Sequence, residues 1–368
     1  MQKITFFIYS LRTGGAERVI AQLSNSLAKR GYMIEILTLE SGNDFHDYLN
    51  KNISIICLNQ KKILLSIPKI FRYLKESNFD FFIVNIWPLT VIVGLLKVLV
   101  KKKRFIFIEH CNIFSEFAYK GRLFVYLQRL SVFLFYNFAD DIVCVSNGIK
   151  DSLIESCSSL NKKIEVIYNP VRSEKIINQH VNEQDYQNFK NYMGIKILSV
   201  GSLNQQKNYP HLIRSLKILK NQGYKFLSYI IGEGSLKEEV LLEIKIHNMS
   251  ENIKCIGLKK DPREYMHIAD VFVLSSLAEG FGLVLTEAMQ AGLTPVSTNC
   301  PSGPSEIIGK KFGFLTEVNN DKDLAKNIIN AFNNKIDKEV LINRASDFHE
   351  DKITDLYIDL LNKKTNEF

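Results

Sequence analysis

The strongest constraint on this chain is a rhythm that starts twice. Short apolar runs rich in β-branched and aromatic residues alternate with longer segments of helical period. In the first half, KITFFIYS, MIEILTLE, FFIVNI, FIFIEH and DIVCVS read as buried strands, with helical stretches between them such as AERVIAQLSNSLAKR, which stops at Gly31. The second half resumes the pattern with KILSVGSL, KFLSYIIGEG, IKCIGL, ADVFVLSS and TPVSTN. Strands separated by helices build βαβ units and hence a parallel sheet. The sequence therefore predicts an α/β protein of two Rossmann-like domains, and 368 residues give each one a core of its own. The boundary is expected at 170, with domains at 1–170 and 171–350 and a last helical segment at 351–368. Pro170 disfavours helix at Asn169 and puts the hinge near Tyr168-Asn169-Pro170. The polar stretch from Arg172 to Asn191 then leads into the second domain.

Charge is divided unevenly. Residues 1–170 hold 22 Lys/Arg and 14 Asp/Glu, whereas residues 171–368 hold 25 of each, so the first half carries the whole net charge of +8. Such asymmetry points to an anionic partner for the first half, although a solvated surface produces the same tally. The run Lys101-Lys102-Lys103-Arg104 follows the apolar segment VIVGLLKVLV. Residues 117–138 mix Phe117, Tyr119, Phe124, Tyr126 and Phe133 with Lys120, Arg122 and Arg129. Basic residues beside apolar ones suit an interfacial contact with an anionic membrane. A transmembrane helix is not expected, because Pro88 interrupts the segment from Phe81 to Val100 and Lys97 charges it. MQKITFFIYS runs into a Gly-containing loop instead of a cleavage site, so no secretory signal is expected. The six cysteines show no metal-ligand spacing and read as reduced thiols of a cytoplasmic protein. No nucleic-acid partner is expected.

The most specific local signal is EGFGLVLTE, in which Glu279 and Glu287 stand eight positions apart. ADVFVLSS before it is a strand, and TEAMQAG after it is a helix that stops at Gly292. Glu279 thus falls on the loop after a parallel strand and Glu287 in the opening turns of a helix. Ligands of α/β proteins bind at such strand ends, with helix-end amides turned to a phosphate. The amides of Leu283 and Val284 are nearest the helix start, behind Phe281 and Gly282. A glutamate there suits vicinal ribose hydroxyls, and one on the loop suits a sugar or a developing positive charge. An acid–base pair of a glycoside hydrolase is a second reading of the same two carboxylates. Three weaker signals join them. Thr13-Gly14-Gly15-Ala16-Glu17 opens the first helix, where glycines allow close backbone approach, although a plain strand–helix turn accounts for it equally. Lys207 in GSLNQQKN is placed to meet a diphosphate as a point charge, or is a solvated loop lysine. His110, at the end of IFIEH, suits a hydrogen bond to a substrate hydroxyl or a proton transfer, or is simply packed. Neither the dinucleotide fingerprint nor the P-loop is present.

Taken in order, these segments resemble the retaining, nucleotide-sugar-dependent glycosyltransferases of family 4. TGGAERV, IEH, VSNGIKDSL, VIYNP, GSLNQQKN, GEGSLKEEV, the run from IKCIGL to EAMQAG, and PVSTNCPSGPSEII carry the resemblance nearly end to end. It implies the GT-B architecture, two Rossmann-like domains with parallel sheets facing across a cleft, and a C-terminal helix packing back toward the first domain. It implies a UDP-linked donor held mainly by the second domain. Glu287 would take the ribose, and Glu279 the transferred sugar. Lys207 and the Leu283 and Val284 amides would take the diphosphate, with Phe281 and Gly282 in the same donor-binding loop, Gly14 and Gly15 approaching it, and His110, a catalytic residue together with Glu279, hydrogen-bonding the sugar. No metal or other cofactor is implied. In one place the sequence departs from the pattern: Ser202 stands where many members carry an arginine that pairs with the lysine on the diphosphate. The expected function is transfer of a hexose or N-acetylhexosamine to a lipid-linked or membrane-surface glycan, as in capsule, O-antigen or lipopolysaccharide synthesis, by an enzyme peripheral to the inner face of the cell membrane. The rivals are an enzyme of this architecture with a soluble acceptor, a UDP-sugar epimerase, and a non-catalytic binding subunit.

Overall fold

The computed structural model describes residues 1–100, 103–116, 120–172 and 183–363. It divides into two units, one comprising Met1–Arg172 and the chain from His349 onward, the other Ser173–Phe348. The division falls at Arg172, two residues past the boundary read from Pro170.

The first unit holds a parallel sheet of β1 (Lys3–Ile8), β2 (Met33–Thr38), β3 (Ser54–Cys57), β4 (Phe81–Asn85), β5 (Arg104–Glu109), β6 (Asp141–Cys144) and β7 (Ile164–Val166), in the order β3-β2-β1-β4-β5-β6-β7. The second holds β8 (Ile195–Val200), β9 (Phe226–Ile231), β10 (Ile253–Cys255), β11 (Val271–Leu274), β12 (Pro295–Thr298) and β13 (Phe314–Thr316), all parallel, in the order β10-β9-β8-β11-β12-β13. These are Rossmann-like sheets, as the alternation predicts. Every residue of β4 and β9 is buried. Helices cover both faces of such a sheet, so its central strands read as unbroken apolar runs. The three strands that the apolar runs do not announce, β3, β7 and β13, are all edge strands. Their burial is partial, and β3 is mostly exposed. In each sheet the strand order reverses once, between β1 and β4 and between β8 and β11. Loops diverge there and leave a crevice at the carboxyl ends of the two strands.

The last helix, Glu350–Asn362, packs within the first unit through buried Ile353, Tyr357, Leu360 and Leu361. Arg30 meets it from the first helix, at 3.1 Å from Asp351 and 3.0 Å from Asp355. Arg104, at the start of β5, closes its other end. Its guanidinium donates to the carbonyls of Leu360 (2.8 Å), Leu361 (2.9 Å) and Lys363 (2.8 Å), and to Asp141 (2.8 Å). The final carbonyls of a helix lack partners in a following turn; Arg104 supplies a charged donor to three of them, sharing the Leu360 carbonyl with the Lys363 amide.

This corrects the reading of the basic run. Arg104 is a structural cap with a side chain 10% exposed. Lys103 donates to the Ser77 carbonyl and lies 3.8 Å from the centre of the Phe79 ring. Neither is a free surface charge. Lys101, Lys102, Phe117, Tyr119 and residues 173–182 of the polar stretch lie outside the described residues. VIVGLLKVLV contributes to the helix Leu89–Lys97, and among the described residues no helix is long and apolar enough to cross a membrane.

Arg104→Ala should lower unfolding free energy by about 2 kcal/mol, because it strips a partly buried carboxylate and three carbonyls of a charged donor. Urea unfolding at constant pH measures this. A loss below about 0.5 kcal/mol, the scale of an ordinary surface substitution, would mean that the cap contributes little.

Candidate active site

The second-unit site grows from β11. Its last apolar residues run into Ser275 and Ser276, then the loop carrying Glu279, then the helix Leu283–Gln290. Gly282 precedes that helix with φ +100°, a left-handed conformation that L side chains rarely adopt. It therefore brings no capping side chain. The amides of Leu283 and Val284 lie in the first turn, where the helix supplies no carbonyl and its dipole is positive. Phe281 is buried edge-on against Phe348, with ring centres 5.2 Å apart. Its role is to anchor the loop. Gly303 backs the same loop: it has φ +67°, and a Cβ there would fall 2.1 Å from the Phe281 carbonyl. The CPSGP segment thus presses directly on EGFG.

β8 lies beside β11, and its loop carries Lys207. Lys207 Nζ is 2.5 Å from Glu279 Oε1, and both side chains are largely buried. Ser276 Oγ donates to the same carboxylate oxygen at 2.6 Å. Three further bonds join the two loops. Ser275 Oγ donates to the Lys207 carbonyl (2.9 Å), the Leu277 amide to the Gln206 carbonyl (2.7 Å), and Gln206 Nε2 to the Ala278 carbonyl (2.8 Å). Asn204 caps the short turn by accepting from the Lys207 amide at 3.1 Å. Gly201 makes room for the lysine, whose Cε would lie 3.1 Å from a Cβ at that position. The ammonium and the loop carboxylate are therefore fixed at the carboxyl ends of two neighbouring strands, at the switch point of the sheet. Glu287 sits one turn into the helix with 3% exposure.

Ser202 is exposed on the loop after β8, and no arginine of the described second unit takes its place. Arg214, Arg263 and Arg344 are bound to Asp321 (2.8 Å), Asp261 (2.6 Å) and Asp347 (2.9 Å). Cys300 is pushed up to about 12 by burial and by the charge of Glu279, so it stays a thiol. Among the described residues no cluster of His, Cys, Asp and Glu could hold a metal ion.

The first unit places Gly14 and Gly15 at the opening of the helix Gly15–Lys29, after β1. The two glycines differ. A Cβ on Gly14 would fall 2.1 Å from Glu17 Oε2, whereas the space above Gly15 is open. A side chain at Gly14 would displace the Glu17 carboxylate, whereas Gly15 already leaves room for a ligand. Thr13 fixes the loop through its amide and hydroxyl, both 2.7 Å from Asp44 Oδ2. His110 follows β5, and its Nε2 is 3.0 Å from Asn85 Oδ1 at the end of β4. Asn85 Nδ2 faces the carbonyls of Phe7 (3.2 Å) and Ile83 (3.3 Å), which accept from it. Those carbonyls orient the amide, so its oxygen meets the ring and Nε2 bears the proton. The ring's other nitrogen, Nδ1, is buried without a hydrogen-bond partner. Burial holds the imidazole down at about 4. His110 is therefore neutral near pH 7, suited to hydrogen bonding and too weak a base for efficient proton abstraction.

Ser276, Gln206 and Asn85 were not singled out in the sequence. For Ser276 a signal existed, since polar residues directly after a buried strand point into the crevice. For Gln206 and Asn85 there was none, because their partners are distant in sequence.

A doubly wound sheet with charged groups and bare helix amides at its switch point is a nucleotide-binding architecture. The comparisons are more specific. Residues 13–175 match the model of Glycosyltransferase Family 4 and residues 181–348 that of Glycosyl transferases group 1. The chain belongs to the family 4 glycosyltransferases and is an enzyme of that class. It is 30% identical to the N-acetylgalactosamine-N,N'-diacetylbacillosaminyl-diphospho-undecaprenol 4-alpha-N-acetylgalactosaminyltransferase of Campylobacter jejuni, over 88% of each chain. It is 26% identical, over the full length of both chains, to a second enzyme of that organism, GalNAc-alpha-(1->4)-GalNAc-alpha-(1->3)-diNAcBac-PP-undecaprenol alpha-1,4-N-acetyl-D-galactosaminyltransferase. Among solved structures, Anabaena HepE in complex with UDP-glucose superimposes with a TM-score of 0.81 at 19% identity, covering 98% of this chain and 99% of that one. This last likeness shows the GT-B fold.

The His110 ring also sets a pH dependence. Its folded value, about 4, lies below the ordinary 6.5. The unfolded chain therefore binds the extra proton first, and stability contributed by the neutral ring is lost as pH falls from about 6.5 toward about 4. Thermal unfolding of His110→Gln should be less acid-sensitive than wild type over that window. Parallel curves would mean that the ring is not buried in neutral form.

Proposed function

We propose that this enzyme transfers a hexose or N-acetylhexosamine, with retention of configuration, from a UDP-sugar to a lipid-linked glycan of a bacterial envelope. The observation that carries the donor site is the contact between Lys207 and Glu279 at the switch point beside the bare first turn of the helix Leu283–Gln290. In this reading the diphosphate takes its place by Lys207 Nζ and the Leu283 and Val284 amides. Glu287 accepts from the ribose hydroxyls. Glu279 accepts from hydroxyls of the transferred sugar and, as a fixed carboxylate, favours positive charge developing at the anomeric carbon. The charge left on the departing UDP is met by the lysine and the helix amides, so no metal is part of the proposal. From the first unit, Gly14, Gly15 and His110 are kept as the residues that the family resemblance implies for the donor.

The acceptor follows from the relatives, both of which act on diphospho-undecaprenol-linked glycans by their names. Both names also specify an α-linked product. A UDP-hexosamine holds its sugar in an α linkage, so an α product corresponds to retention. An enzyme with such an acceptor works at the inner face of the cell membrane as a peripheral protein. No observation favours the soluble-acceptor, epimerase or non-catalytic readings.

Three substitutions test the assignments. Glu287→Ala should weaken UDP binding by at least about tenfold, the cost of a lost charged hydrogen bond; calorimetry returning the wild-type affinity would remove Glu287 from the ribose. Glu279→Ala should lower kcat about a hundredfold or more in sugar transfer while UDP affinity changes far less; near-normal turnover would remove it from the reacting centre. Ser202→Arg, which supplies the missing second cation, should tighten UDP binding about fivefold, the scale of an exposed ion pair. An unchanged or weaker affinity would show that the diphosphate does not pass residue 202.

A further inference from the structure

One helix of the first unit is turned inside out. Helix Arg122–Phe135 buries Gln128 and Val132. Its large apolar residues Leu123, Tyr126, Leu127, Leu130, Phe133 and Leu134 are exposed, from 40% at Leu130 to 73% at Leu123. Steps of three and four residues put these on one stripe of the helix. A surface helix ordinarily turns such a stripe to the core. The neighbouring helix Leu89–Lys97 and the residues just after it extend the patch with exposed Leu95, Val98 and Leu99. The two segments are in contact, since a Cβ on Gly94 would lie 2.6 Å from the Phe135 carbonyl, and Trp87 Nε1 donates to Ser131 Oγ at 3.1 Å. An apolar area of this kind marks an interaction surface.

Charge selects the occupant. The helix has Arg122 and Arg129 and no acidic residue. Arg129 is turned to Glu155 at 3.6 Å, but Lys120 and Arg122 stand at the helix start, with the Lys120 ammonium 4.8 Å from the Phe124 ring. No Asp or Glu occurs in the sequence from residue 117 to residue 139. We propose that the helix Arg122–Phe135 lies in the plane of an anionic bilayer surface. The leucine and aromatic stripe enters the acyl boundary, and Lys120 and Arg122 sit at the level of the lipid phosphates. With 14 residues the helix is about 21 Å long, short of the roughly 30 Å hydrocarbon core, so it lies on the membrane and does not cross it. A second copy of the chain fits less well, because a two-fold contact through this stripe would add like charges to one rim. The inference rests partly on the lipid-linked acceptor proposed above, and of the two segments that the sequence offers for a membrane contact it keeps residues 117–138, narrowed to one face of this helix, and drops the Lys101–Arg104 run.

The test is flotation of the full chain with vesicles of phosphatidylglycerol and phosphatidylethanolamine, and with phosphatidylcholine vesicles as the neutral arm. The wild type should float with the anionic vesicles. Leu123→Ser, Leu127→Ser and Phe133→Ser combined should cut the bound fraction at least about tenfold, as expected for removing inserted apolar side chains. Lys120→Ser with Arg122→Ser should make binding both weaker and less dependent on salt. Thermal stabilisation by UDP serves as the folding and donor-site control and should persist in every variant. Flotation that persists without UDP stabilisation would sink the donor reading and leave the docking helix standing. A triple variant that floats like the wild type overturns the proposal, and so does equal binding to neutral vesicles. A wild type that fails to float but forms a dimer dissolved by the triple variant, seen by light scattering, assigns the stripe to a second copy instead.

Discussion

The site depends on two parallel strands being neighbours while their loops leave in opposite directions. β8 and β11 pair Val271 with Ile197 and Phe272 with Leu198, although the partners are more than seventy residues apart. That register brings Lys207 and Glu279 to one edge of the sheet at 2.5 Å. Taking both charges out of water is costly, and their attraction repays it only with additional hydrogen bonds in place. Ser276 supplies one to the carboxylate, and the bonds from Ser275 and Gln206 hold the two loops together. The pair is therefore preorganised. An incoming diphosphate would meet a lysine already held in position, so little ordering remains for binding to provide.

The loop behind Glu279 is built for the same end. Gly282 removes any capping side chain from the helix start, and Gly303 allows CPSGP to touch the Phe281 carbonyl. A side chain at either place would push the loop away or occupy the amides. The one weak place is position 202. With serine there and all three arginines of the described second unit engaged elsewhere, Lys207 is the cation that the loop after β8 offers. A site with one lysine and a helix dipole suits a ligand that must leave again after transfer.

Much of the architecture is legible in the sequence, for a physical reason. Central strands of a parallel sheet are dry on both faces, so β1, β4, β8, β9 and β11 read as continuous apolar runs. Edge strands β3, β7 and β13 are half solvated and short, and nothing in ISIICL, IEVIY or GFLTEV separates them from loops. The motif around Glu279 and Glu287 was legible because its parts are local: strand, glycine turn, helix. Its partners were not, since Lys207–Glu279 and Asn85–His110 are set by strand order. Charge misled where geometry consumed it. Lys103 and Arg104 look like half of a basic patch and instead cap and brace the fold, whereas the basic and aromatic mix of residues 117–138 is legible in the sequence and burial adds which face of Arg122–Phe135 is exposed.

The central claim is that the Lys207–Glu279 pair and the adjoining helix start hold the diphosphate and sugar of a nucleotide donor. A crystal structure of the enzyme soaked with a UDP-sugar tests it most directly. The account predicts phosphate oxygens within hydrogen-bonding distance of Lys207 Nζ and of the Leu283 and Val284 amides, with ribose hydroxyls on Glu287 and the sugar beside Glu279. A donor bound with its diphosphate away from Lys207, or with its ribose away from Glu287, would contradict it.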